Sequence, residues 1–374
     1  MKLAIICRAF VFHGGLENAT AGLIGALVRQ KHEVHLFSTR GQQEIPGVRL
    51  HRLPVIGAPS LARIVSFALA AKAAVSRERF DVVQSHERTL VQDVYRAGEG
   101  CHRAYLEVKA KHLGALLRPA LWANPSHRAL LSLERKIFSP EGTRRIVAIS
   151  RLGKAEIQRL YGFPDSRVSV IYNGVDQERF HPADREPYRA EVREALGVPQ
   201  NAWVVLFVGS GFERKGLGPL IEGFALMKDR ASRLVVVGKG NEAPYRAWAT
   251  RLGVAERVSW LGPRADIERY YAAADAVALP ALYEPFGNVH LEALASGLPV
   301  LASSRAGGSE VVSHGKNGWI LDDPEDVRAI REGLLALRDG GQSWRDVARA
   351  AAIPFTFEAQ ARFFADLYRS LGPR

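Results

Sequence analysis

Glu284 and Glu292 bracket the run Pro285-Phe286-Gly287-Asn288-Val289-His290-Leu291, and the apolar stretch Ala293-Leu294-Ala295 follows them. The pattern places Glu292 in a short helix and Glu284 in the loop before it, so both carboxylates can face one ligand. Carboxylates accept paired hydrogen bonds from vicinal hydroxyls, which ribose and hexose rings both offer. Two solvated surface charges are the competing reading, and the apolar neighbours and the strand end just before Glu284 count against it. A second constellation is Val208-Gly209-Ser210-Gly211-Phe212-Glu213-Arg214-Lys215-Gly216, a strand running into a glycine-rich loop with adjacent cations. Arg214 and Lys215 would stabilise charge that develops on a diphosphate leaving group, without a metal. A solvated loop with incidental cations is the alternative. The loop is not a P-loop, because no GxxxxGK followed by Ser or Thr occurs. No Asp-x-Asp occurs either, so neither a metal nor another cofactor is expected at the diphosphate.

A third loop, Phe12-His13-Gly14-Gly15-Leu16-Glu17, leads into a helix whose apolar positions Leu16, Ala19, Leu23, Ile24 and Leu27 keep helical spacing. Gly14 and Gly15 let the backbone approach a ligand, and free N–H groups at a helix start suit a pyrophosphate. A turn that merely closes a βα unit would use the same glycines.

The elements that must position these loops alternate. Strand-like runs at Lys2–Cys7, Glu33–Ser38, Asp81–Ser85 and Arg145–Ser150 are separated by amphipathic stretches. The rhythm restarts with Val168–Tyr172, Trp203–Gly209, Arg233–Gly238, Val258–Leu261, Ala276–Pro280 and Val300–Ser303. That is the βαβ pattern of parallel sheets, and it predicts an α/β protein with two doubly wound domains. At 374 residues the chain is long enough for two cores. The turn at Asn173-Gly174 and the break at Phe180-His181-Pro182 place the boundary near residue 175, giving domains of residues 1–175 and 176–354. Residues 355–374 form a final helix, with Ala359, Phe363, Phe364, Leu367 and Leu371 as a stripe that needs a partner surface, expected on the first domain.

Hydrophobic residues at 47% and charged residues at 24% describe an ordinary globular protein. Two cysteines, Cys7 and Cys101, make neither a disulfide framework nor a zinc-ligand pattern, which fits a reducing cytoplasm. The apolar start is too short for a spanning helix and reads as a first strand. The net charge of +12 is unevenly spread: residues 1–170 hold 26 Lys and Arg against 13 Asp and Glu. A solvated basic face accounts for this, as does an acidic partner. Between Cys101 and Phe138, Lys109, Lys111, Arg118, Arg128, Arg135 and Lys136 alternate with Leu113, Leu116, Leu117, Leu121, Trp122 and Leu131. That mixture predicts an interfacial helix lying on anionic lipid, with Leu121 or Trp122 inserted. Packing against its own domain is the alternative.

Taken in order, Gly14-Gly15, Arg214-Lys215-Gly216 and the Glu284/Glu292 pair resemble the retaining glycosyltransferases of family 4 (group 1), over the whole chain. The resemblance implies the GT-B fold: two Rossmann-like domains facing a cleft, the first binding the acceptor and the second the nucleotide-sugar donor. It implies that Glu284 contacts the donor sugar, Glu292 the nucleoside ribose, Arg214 and Lys215 the diphosphate, and the Gly14-Gly15 loop the phosphate or the reaction centre, with Gly209 also binding the donor. Phe286, Gly287, Asn288 and Val289 complete the donor-binding motif, and Arg214, Lys215 and Glu284 are the implied catalytic residues. It also implies retention of configuration by same-face attack, the leaving phosphate taking the acceptor's proton.

A narrower resemblance is to the glucosyltransferase I group of bacterial lipopolysaccharide core biosynthesis. It rests on Gly209–Gly216, on Asp93-Val94-Tyr95-Arg96-Ala97-Gly98-Glu99-Gly100-Cys101 and on Gly14-Gly15-Leu16; relatives tend to carry Asp where this chain has Glu99. It implies UDP-glucose as donor and a phosphorylated heptose of an anionic glycolipid as acceptor. His86 and Glu99, on loops at strand ends, would orient that acceptor, or serve as ordinary loop residues. The expected protein is a monomeric, cytoplasmic hexosyltransferase attached peripherally to the inner face of the membrane. A nucleotide-sugar epimerase on the same scaffold and a non-catalytic glycan- or lipid-binding module are the other readings. A nucleic-acid partner has charge alone in its favour and is not expected.

Overall fold

The computed structural model describes residues 1–10 and 15–372, without the side chains of residues 15–17. The chain divides into two compact units, Met1–Asn173 with the segment from Phe357 onward, and Gly174–Thr356. The crossing thus falls at Asn173-Gly174, two residues before the expected position, and the return falls at Phe357 rather than at residue 355.

The first unit is built on a parallel sheet in which β1 (Lys2–Ile6), β2 (Glu33–Ser38), β3 (Val48–Arg52), β4 (Val82–Ser85), β5 (Val94–Ala97), β6 (Arg145–Ala148) and β7 (Val168–Val170) lie in the order 3-2-1-4-5-6-7. In the second, β8 (Val204–Val208), β9 (Arg233–Val237), β10 (Val258–Trp260), β11 (Ala276–Leu279), β12 (Val300–Ser303) and β13 (Gly318–Leu321) lie in the order 10-9-8-11-12-13, again all parallel. Central strands such as Val204–Val208 are near-continuous apolar runs because helices cover both faces of a parallel sheet.

Strands β3, β5 and β13 were not expected. In Val48–Arg52 polar side chains alternate with apolar ones at a sheet edge, so no residue is fully buried. Val94–Ala97 is short and carries a buried arginine, Arg96, which reads as a loop residue in sequence.

The last helix, Phe357–Ser370, joins the core of the first unit: Ala361, Phe364 and Tyr368 pack with Leu3, Ile5, Leu23, Ile24 and Leu27. Phe363, assigned to the packed stripe from sequence, is 62% exposed instead, because the helix turns it away from that core. The Tyr368 hydroxyl donates to Gln84 Oε1 at 2.7 Å, tying the helix to β4.

Candidate functional site

The order of the second sheet reverses between β8 and β11, and the crevice beyond the carboxyl ends at such a switch point is where open α/β sheets bind ligands. The loops leaving these two strands are Gly209–Gly216 and Pro280–Asn288, the two that sequence singled out. They touch closely. A Cβ on Gly216 would stand 1.8 Å from the Pro280 carbonyl oxygen, and Gly216 also holds φ +73°, so only glycine lets the loops meet there. A Cβ on Gly209 would stand 2.4 Å from Lys215 Cδ, so the bare backbone makes room for the lysine stem. The main chains are stitched by Leu282 N donating to the Arg214 carbonyl at 2.8 Å.

These contacts aim both cations at one carboxylate. Arg214 Nη1 lies 2.7 Å and Lys215 Nζ 2.9 Å from Glu284 Oε2, and Arg214 Nη1 also donates to the Tyr283 carbonyl at 2.8 Å. Burial disfavours charge on Glu284, but Lys215 and then Arg214 outweigh it and hold the carboxyl down at about 2. The group is therefore ionised at any ordinary pH.

Glu292 is shifted the other way. It sits in the buried helix Val289–Ala295, where Tyr271 donates its hydroxyl to Oε2 at 2.7 Å. Burial raises its pKa, against the pull of Tyr271, Arg179 and Lys215. Lys215 thus acts electrostatically on both carboxylates. Tyr271 was not foreseen; it comes from a different helix, Ile267–Ala273, and nothing in local spacing marks it as the partner of Glu292.

Between the two glutamates the chain turns sharply. Gly287 holds φ +82° and its carbonyl accepts from His290 Nδ1 at 2.7 Å, Phe286 and Val289 are buried, and Asn288 is half-buried. Gly308 N donates to the Phe286 carbonyl at 2.6 Å, so Gly307–Val311 is a further wall of the site that sequence did not single out.

In the first unit, Gly15 opens the helix Gly15–Arg29, while Gly14 lies outside the described residues. His86 and Glu99 follow the ends of β4 and β5. His86 is buried, with Nε2 2.7 Å from Gln84 Nε2, and burial with Arg96 nearby keeps it well below the usual imidazole range. Glu99 is bound by two arginines, Arg8 through Nη2 and Arg88 through Nη1 at 2.8 Å. Burial works against its charge, but Arg8 and Arg88 prevail and lower its pKa.

Arg88 also donates twice to the fully buried Glu134, at 3.1 and 2.9 Å, and Glu134 in turn accepts from Tyr161 and from the backbone of His102 and Arg103. A carboxylate buried with this many donors anchors the start of the helix His102–His112. Sequence offered no signal for it.

The basic, leucine-rich segment is not one helix. It folds as His102–His112, a single 3₁₀ turn at Ala115–Leu117, Arg118–Ala123 and Pro125–Ile137. Leu121, expected at the lipid face, is buried at 8% exposure, whereas Leu116 and Leu117 are 94% and 58% exposed and Trp122 is 36%. Helical phase places Leu121 inward, and the preceding turn presents the two leucines outward.

Residues 189–352 match the family model for glycosyl transferases group 1, and residues 13–179 match that for glycosyltransferase family 4. The chain is 31% identical over 366 residues to a probable transglycosylase of Burkholderia thailandensis, covering 94% of this chain and 92% of that one. It is 25% identical over 356 residues to the lipopolysaccharide glucosyltransferase WaaG of Escherichia coli, covering 93% of each. A crystal structure of WaaG superposes with a TM-score of 0.83 at 26% identity, over 98% of this chain and 99% of that one. The fold is shared with Anabaena HepE, solved with UDP-glucose, at a TM-score of 0.73 and 21% identity over 99% of this chain and all of that one. With two Rossmann-like parallel-sheet units of the GT-B kind and both family domains in place, the chain belongs to the group 1, family 4 glycosyltransferases and is a glycosyltransferase.

Proposed function

We propose that the enzyme transfers a hexose, glucose in the first instance, from a UDP-sugar to a hydroxyl of a membrane-associated anionic glycan such as an inner-core heptose, with retention of configuration. The observation that carries this reading is the convergence of Arg214 and Lys215 on Glu284 at the β8/β11 switch point. A donor diphosphate would bring anionic oxygens to these cations, and charge develops there as the glycosyl bond breaks. Arg214 and Lys215, already oriented, would stabilise it with little reorganisation. Glu284, fully ionised, would accept hydrogen bonds from the transferred sugar and Glu292 from the ribose, while the departing phosphate takes the acceptor's proton. Similarity to WaaG supports the glucose and lipopolysaccharide assignment.

A screen of nucleotide sugars by thermal unfolding tests the donor. The matching donor at 100 times its dissociation constant should stabilise the protein by about 2.7 kcal/mol. No stabilisation by any nucleotide diphosphate sugar would overturn the proposal. Because cations of the protein meet the diphosphate, a chelator should leave the transfer rate unchanged. A strict requirement for a divalent ion would refute that part.

The acceptor is proposed to be met at the inner membrane face, with His86 and Glu99 orienting it in the first unit. No helix among the described residues is long and apolar enough to cross a membrane. Attraction would come from Lys109, Lys111 and Arg118, each worth about 1 kcal/mol near an anionic surface. The exposed Leu116, Leu117 and Trp122 would add apolar insertion. The protein should sediment with anionic vesicles, stay in solution with neutral ones, and be largely released at 1 M salt, where the Debye length falls to about 3 Å. Lys109, Lys111 and Arg118 changed together to Gln should weaken sedimentation without altering donor affinity. Equal sedimentation with neutral and anionic vesicles would contradict an electrostatic dock.

A further inference from the structure

We infer that His35, His51 and Glu78 form a binding site for a divalent transition-metal ion, zinc being the best match, separate from the donor site. The three residues are far apart in sequence, and the fold of the first unit assembles them. His35 projects from β2 and His51 from the neighbouring edge strand β3, with parallel register Phe37↔His51. Glu78 follows the helix Ser60–Val75 that covers this face. One ligand atom from each lies within 4.8 Å of the others. His35 Nδ1 is 2.9 Å from His51 Nε2 and 3.5 Å from Glu78 Oε2.

The hydrogen-bond pattern prepares His35 for this role. Its other ring nitrogen, Nε2, lies 3.0 Å from Glu33 Oε1, and a carboxylate can only accept, so Nε2 carries the proton. In the neutral ring Nδ1 is then a bare lone pair facing His51 and Glu78. This carboxylate–histidine arrangement is the outer-shell device that fixes the tautomer and raises the basicity of metal-bound imidazoles. The His51 Nε2–H that now donates to His35 Nδ1 occupies the place of the ion. When an ion enters, that proton moves to His51 Nδ1 and both nitrogens coordinate.

The surroundings are rigid on one side and yielding on the other. His35 is 1% exposed and packs edge-on against Phe80 at 5.0 Å, and His51 stacks on Phe37 at 4.4 Å. Ligands of a tetrahedral zinc at about 2.0–2.1 Å stand about 3.3 Å apart. The small adjustment needed falls on the half-buried His51 and the exposed Glu78. Glu78 is at present paired with Lys2 Nζ, which would give way to the ion. Two imidazoles and one carboxylate suit zinc or its neighbours and not magnesium or calcium, and water would fill the fourth position. His35 pairs with Ala4 in mid-sheet, whereas Arg8, His86 and Glu99 follow the strands' carboxyl ends, so an ion held here is compatible with chelator-insensitive transfer.

Calorimetric titration of the chelator-stripped full chain with zinc chloride, and with magnesium chloride alongside, tests the site. Zinc should bind saturably with ~1 ion per chain, and magnesium should not. Glu33→Gln should weaken zinc affinity about 10- to 100-fold, and His51→Ala and Glu78→Gln, each losing a ligand, by more than that. Both ligand positions are solvent-accessible, and circular dichroism checks that the variants fold. Absence of saturable zinc binding to the wild-type chain, or wild-type affinity in both His51→Ala and Glu78→Gln, would overturn the assignment.

Discussion

Lys215→Ala should lower turnover by about 100-fold or more while the protein stays folded, the scale of losing one preorganised partner for transition-state charge. Lys215 is the more buried of the two cations, at 11% side-chain exposure against 33% for Arg214, and it acts on both glutamates. Arg214→Ala should act in the same direction and, because Arg214 also donates to the Tyr283 carbonyl, should loosen the loop that carries Glu284. Steady-state kinetics with a saturating donor separates a loss in kcat from a loss in affinity. Unchanged kcat in both variants would remove the diphosphate role.

The second large effect separates the carboxylates. Glu292→Ala should weaken binding of the free nucleoside diphosphate as well as of the donor, whereas Glu284→Ala should spare the free nucleotide and depress transfer. Equal losses of nucleotide affinity in calorimetry would refute the division. The two should also differ with pH. Glu284, held at about 2, adds stability that is fully present above the ordinary carboxylate pKa and is lost as pH falls below it and through about 2. Glu292 has a raised pKa, so its contribution is present at low pH and lost as pH rises through its folded value. Urea unfolding of Glu292→Gln should therefore show a smaller fall in stability with rising pH than the wild type.

Most of the architecture was legible because the central strands are unbroken apolar runs and the loops between them carry glycine. β8 and β11 are of this kind, and their loops contain the motif residues, so the motif and the sheet switch point could be read together. What stayed hidden depends on partners from distant elements. Tyr271 reaches Glu292 from a helix of its own, and Glu134 is recognisable as a hub only once Arg88, Tyr161 and the start of His102–His112 surround it. Edge and mixed-polarity strands such as Val48–Arg52 escape notice because they bury too little to impose a pattern. The same strand supplies His51, so the cluster with His35 and Glu78 has no sequence signature.

Hydrogen exchange of the full chain with and without UDP-glucose tests the central claim most directly, since it localises the donor without altering a residue. Protection should concentrate in residues 209–216 and 283–292 and leave residues 33–52 unchanged. Donor-induced protection confined to the first unit, with neither of those two loops affected, would contradict a donor site built from Arg214, Lys215, Glu284 and Glu292.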